Sequence, residues 1–170
     1  MQYAAPHGRT EFFMSIQDEL AIREKEESLL QFTAFTYEDA LKLGLAINDL
    51  AKEKYAPVAI EIEINGLVIF HYSMPGSNGR NNMWVKRKAN TVRAAQVSSL
   101  HGMEQREADG KDIVKDWGLD PMEYAAIGGG FPIRIKGSGI IGSVAVSGLP
   151  HRQDHQLIVE ALADYLGVAL

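Results

Sequence analysis

A chain of 170 residues falls in the size range of one domain and can bury roughly 70% of the surface its unfolded form exposes, so it needs no staple to fold. Its 46% hydrophobic and 23% charged residues are those of an ordinary globular protein, and no tract of about 20 apolar residues offers a membrane span. A net charge of -5 argues against nucleic acid as a partner, and the lack of any cysteine excludes disulfides, thiolate metal sites and thiol nucleophiles.

The opening MQYAAPHGRTEFFMS carries no targeting pattern. Residues 1–14 are expected to form a flexible N-terminal arm and residues 15–170 a single domain in the cytoplasm. Ser15 with Asp18 in the first turn marks the start of a helix whose charged run, Arg23 to Glu27, reads as mostly solvated. Thr36 and Asp39 have the spacing of a capping box, and Leu43, Ile47 and Leu50 recur at helical intervals, so a helix is expected over 37–55, ahead of Pro57. Two alternating runs then flank Asn65-Gly66, the dipeptide of a two-residue type I′ turn, which predicts a hairpin over 58–72. If Ile64 faces Leu67, Ile60 faces His71, and His71 shares the apolar face. Asn82 is a plausible cap for a long helix carrying Trp84, Val85, Ala89 and Val92, with a break near Ser98-Ser99. Asp120, Pro121 and Glu123 supply the cap, first-turn proline and first-turn acid of a short helix. FPIRIK and IIGSVAVS form two more strands, and Pro150 opens an amphipathic last helix with Asp154 near its start. The order of helix, helix, hairpin, helices, hairpin, helix predicts an α+β domain, within the broad α/β class. Its sheet should be mainly antiparallel, with helices packed on it.

Three stretches carry a resemblance: MPGSNGRNNMWVKRK at 74–88, GLDPMEYAAIGGGFPIRI at 118–135 and GIIGSVAVSGLPHRQDHQLIVEAL at 139–162. In this order they resemble the haem-degrading (GlcG/HbpS-like) superfamily, over roughly residues 33–167. The resemblance implies a three-layer fold, a homo-oligomer built from dimers, and a link to haem or another tetrapyrrole-like ligand. It does not imply a settled reaction. The family commonly reads Asp-Asn-Asp before the tryptophan, where this chain has Arg80-Asn81-Asn82, so a metal or acid-base role for those acids does not carry over.

Trp84, Arg87 and Lys88 place an aromatic ring and two cations near the expected helix start, where free backbone N–H groups favour anions. They form the leading candidate site for a small anionic ligand; the alternative is that Trp84 is core and the cations make ion pairs. Gly128 and Gly129 could let backbone approach a ligand, or relieve a tight entry into the following strand. His155 lies four residues after His151, a spacing that can hold a metal on one helical face. Without a third ligand the pair is incomplete, and packing or an interface hydrogen bond is the alternative role for His155; no metal is expected. His71 is a possible axial ligand for haem iron. Ser98, Ser99, His101 and Asp154 lack the Gly-x-Ser-x-Gly setting of a serine nucleophile, and no catalytic set is legible. Two functions from different classes follow: a homo-oligomeric binder of a tetrapyrrole or similar anion, and a non-catalytic adaptor that binds another protein.

Overall fold

The computed structural model describes residues 14–55 and 57–170, so all but the last residue of the expected N-terminal arm lies outside it. Ser15 and Thr36 cap the first two helices, α1 (Ile16–Leu29) and α2 (Tyr37–Lys54), and each closes a full capping box with the aspartate three residues on. Strands β1 (Ala59–Ile64) and β2 (Leu67–Ser73) follow, then α3 (Gly79–Ala95), α4 (Ser99–Asp109) and the single turn α5 (Ile113–Asp116). The chain finishes with β3 (Gly130–Ile135), β4 (Gly139–Ser147) and α6 (His151–Leu166). The strands form one antiparallel sheet in the order β2-β1-β4-β3.

Alternation along the strands splits the sheet's side chains between two layers of helix. Ile60, Ile62, Val144, Val146, Phe131 and Ile133 join Leu43 and Ile47 of α2 and Leu157, Ile158 and Leu162 of α6 in the main core. On the other face Ala59 and Ala145 meet Val85 and Ala89 of α3. Small residues there let α3 lie close to the sheet, which fixes where its polar side chains can reach. The architecture is the expected α+β arrangement of helices on an antiparallel sheet.

Four expectations are corrected. Asn65 (φ 51) and Gly66 (φ 83) form the hairpin turn and Ile64 pairs with Leu67, but an irregularity between Ile62 and Glu63 shifts the register. One extra residue on β2 inverts the alternation beyond it, so Ile60 pairs with Tyr72, and His71 leaves the apolar face to stand opposite Glu61. The shift also lays Phe70 against Gly44 of α2, where a Cβ would sit 2.5 Å from the ring. Second, α3 is capped by Asn78 rather than Asn82: its side chain accepts from Arg80 N, and Asn81 closes a reciprocal box. Trp84 to Lys88 therefore lie in the helix body, away from its free amides. Third, Asp120 to Glu123 make only a turn, because Ala125 N is captured by Thr91 Oγ1 (2.8 Å) of α3 and the backbone is drawn off the helical path. Fourth, the charged run of α1 is not simply solvated. Glu26 is buried, and Arg23 lies within ion-pair distance of Glu26 (3.3 Å) and Glu104 (3.7 Å).

Candidate functional site

The first turns of α3 and α6 converge on an open cavity of about 330 Å3, lined from α3 and its cap by Asn78, Arg80, Asn81, Trp84 and Lys88. From the other side come Ile127, the end of β4 at Ser147 to Leu149, and His151 and Asp154 of α6. Both helices present their N-terminal ends here, and α6 has no side-chain cap, so unpaired N–H groups at its start add positive potential.

At the cavity floor Lys88 Nζ donates to Asp154 Oδ2 (2.7 Å) and to the Val146 carbonyl (2.9 Å), while Asp154 Oδ1 accepts from Leu149 N (3.0 Å). Both side chains are almost fully buried. Burial lowers the Lys88 pKa and raises that of Asp154, each shift opposed by the other's charge. Gly129 closes over this pair with φ +114; a Cβ there would stand 2.5 Å from the Val146 carbonyl and 2.6 Å from Lys88 Nζ. The glycine is required because the backbone touches the pair directly. Gly128 in turn packs on the His151 carbonyl, where a Cβ would overlap it. His151 Nδ1 is buried at the cavity wall with no hydrogen-bond partner. Burial, reinforced by Arg152 and Lys88, lowers the His151 pKa and favours the neutral ring.

Arg87 and Lys88 are consecutive on a helix and so point about 100° apart. Lys88 faces the cavity floor, whereas the Arg87 guanidinium stacks 4.0 Å from the Trp84 ring centroid and donates from Nη2 to the Pro121 carbonyl (2.7 Å). Arg87 lines a second cavity of about 290 Å3 with Met103, Arg106 and Tyr124. Trp84 and Ile127 border both cavities, so Trp84 is a shared wall. The two cations thus stand on opposite sides of the tryptophan.

His155 lies outside both cavities. It is buried beneath α1 with Nε2 2.9 Å from Glu26 Oε2, and desolvation lowers its pKa against the pull of Glu26. Among the described residues, no group of three or more His, Asp or Glu side chains gathers to hold a metal ion. Ser98 and Ser99 are both buried: Ser98 caps α4, and the Ser99 hydroxyl donates to the Ile127 carbonyl. Sequence reasoning missed Asn78, Arg80 and Asn81, although the Asn-x-x-Asn spacing of 78–81 was a legible capping signal.

The antiparallel four-stranded sheet covered by helices on both faces places the chain, by fold, among the HbpS-type α+β domains. The chain belongs to the HbpS-like family, "Haem degrading protein HbpS-like", whose model matches residues 35–163. A relative from Rhizobium rhizogenes, named UPF0303 protein, is 44% identical over 154 residues, covering 91% of this chain and 94% of its own. Among solved structures, that of Ybr137w protein superposes with a TM-score of 0.78 at 31% identity, covering 87% of each chain. A structure titled PduOC:Heme complex has a TM-score of 0.67 at 20% identity, over 80% of this chain and 97% of the other, and shares the fold. α1 lies outside the matched family region. No helix among the described residues is long and apolar enough to cross a membrane.

Proposed function

We propose that the chain is a homo-oligomeric ligand-binding domain of the cytoplasm that takes a carboxylate-bearing planar ligand, haem or a related tetrapyrrole, at the cavity between α3 and α6. The observation that carries this reading is the convergence of two helix starts with Arg80 and Lys88 on one side of Trp84. Carboxylates of such a ligand would meet Arg80 and the first amides of α6, while Trp84 and Ile127 offer apolar surface to its ring. The volume of about 330 Å3 lies at the low end of the roughly 300–1,000 Å3 of ligand pockets, which suits the carboxylate edge of the ligand, with the rest covered by a neighbouring subunit. The family description and the haem bound by the PduOC neighbour support the ligand class. His151, neutral and with Nδ1 unpartnered, is the imidazole best placed to meet a bound ligand.

Haemin titration followed by absorbance tests this reading. Wild type is expected to bind saturably, and Arg80→Ala to weaken binding about ten- to a hundredfold, the worth of a charge-assisted contact of roughly 1.5–3 kcal/mol. Arg87→Ala, on the far side of Trp84, should change affinity less. Absence of saturable binding in wild type rejects the tetrapyrrole, and equal affinity of Arg80→Ala rejects the placement.

A further inference from the structure

The shifted hairpin register assembles a second polar cluster on the open part of the sheet, on the face that α3 covers elsewhere. Glu61 on β1 stands directly opposite His71 on β2, with Glu61 Oε2 3.1 Å from His71 Nδ1. His71 Nε2 lies 3.3 Å from the Oγ of Ser73, two residues further along the same strand and on the same face. Asn82, from the first turn of α3, reaches over, and its Oδ1 accepts from the Ser73 hydroxyl (2.9 Å). None of these four residues lines either cavity described above.

We propose that Glu61, His71 and Ser73 form an acid–imidazole–serine relay that makes Ser73 a nucleophile toward small, unhindered carboxylic esters. A carboxylate can only accept, so the Glu61 contact holds the proton of the neutral imidazole on Nδ1 and leaves the Nε2 lone pair facing Ser73. That is the arrangement nucleophilic catalysis requires: nucleophile against base, base against an orienting acid. The terminal atoms of Asn82 interchange by a half-turn of its carboxamide. Turned over from its observed orientation so that Nδ2 faces inward, Asn82 would donate toward Ser73, free the hydroxyl proton for His71, and offer a donor to charge developing on a substrate oxygen. The bulge is the cause of the cluster: without it His71 would pair with Ile60 on the opposite face.

In the reaction Ser73 Oγ attacks the ester carbonyl carbon as its proton passes to His71 Nε2. The carbon–alkoxy bond breaks, and the departing alkoxide takes that proton from the imidazolium to leave as the alcohol. Water then attacks the acyl-serine, giving one proton to His71; collapse releases the carboxylic acid and returns the proton to Ser73. Glu61 is a positioning residue throughout. The cluster is exposed, with the His71 side chain 34% accessible, so substrates reach it freely and selectivity for the acyl chain is low.

The test is labelling of the intact protein with a fluorophosphonate, with the modified peptide identified by mass, alongside hydrolysis of p-nitrophenyl acetate. Ser73 should carry the label. Ser73→Ala should lose labelling at that peptide and the burst of nitrophenol, and His71→Ala should slow acylation by roughly a hundredfold, the worth of a general base. Glu61→Gln should lower the acylation rate while leaving KM in place, and Glu61→Asp should restore part of it, a pattern that loss of a merely structural contact would not give. Circular dichroism of each variant separates misfolding from loss of chemistry, since none of the three side chains is part of the buried core. A folded wild type that takes no label at Ser73, or a Ser73→Ala protein that hydrolyses the ester at the wild-type rate, overturns the proposal.

Discussion

Lys88 and Asp154 show what one pair of side chains does for the site. They lie 66 residues apart in sequence, yet their contact ties the middle of α3 to the first turn of α6 and holds both against the glycine loop. A buried pair of this kind repays little of its desolvation, but removing one member strands the other charge. Asp154→Ala is expected to cost about 3–5 kcal/mol in denaturant unfolding, toward the lower figure because burial already helps Lys88 shed its proton. The double variant Lys88→Met/Asp154→Leu should recover most of that loss. A single variant as stable as wild type would show that the pair contributes nothing to the join. The same geometry gives Lys88 and Arg87 different partners: Lys88 is engaged by Asp154, and Arg87 by Trp84 and Pro121.

At the scale of an element, α1 is held mainly by charge. Leu20 is the one apolar residue buried within the helix, whereas Glu19, Arg23, Glu26 and Glu27 reach Arg152, Glu104, His155 and His101. Glu27 also accepts from Ser98 N at the start of α4 (2.7 Å). The hydrogen bond that the His101 ring donates to Glu27, aided by the charges of Glu27, Glu24 and Glu104, raises the His101 pKa above its ordinary value of 6.5, against the effect of burial. A histidine pKa raised by folding stabilises the folded state fully below its unfolded value and ceases to do so as pH rises through the folded value. The stability difference between wild type and Glu27→Gln should therefore be largest near about pH 5–6 and shrink toward about pH 9, down to the constant part due to the Ser98 contact. His155, whose lowered pKa gives the opposite trend, largely drops out of the comparison, since burial and Glu26 act on it most and Glu27 only by its charge. A difference that does not vary with pH would mean His101 is not charged against Glu27.

For the whole molecule, the exposed apolar surface bears on assembly. Tyr37, Leu41 and Leu45 recur every four residues on α2 and are 59%, 44% and 49% exposed, and the edge strand β2 also exposes Leu67 and Val68. Residues four apart share a helical face, so the α2 side chains form one stripe, of the kind that marks a protein–protein contact. The proposed homo-oligomer should use it. Leu41→Glu/Leu45→Glu is expected to reduce the mass in light scattering to a smaller species while the circular dichroism spectrum is kept, because neither side chain belongs to the core. An unchanged assembly would place the subunit contact elsewhere.

The sequence by itself determined what depends on residues within a few positions of one another. The boxes at Ser15 and Thr36, the Asn65-Gly66 turn and the alternation of four strands are local, and together they dictate an antiparallel sheet with helices on it. The three family stretches were legible for the same reason, as short runs read whole. Only the tertiary structure decided the bulge that turns His71 toward Glu61, since a one-residue slip leaves the local alternation readable in either register and goes with the packing of Phe70 on Gly44. It also chose Asn78 over Asn82 as the α3 cap, a choice among competing asparagines. The cavity was not legible because it exists only where the starts of α3 and α6, more than 60 residues apart, are brought together by packing on opposite faces of one sheet.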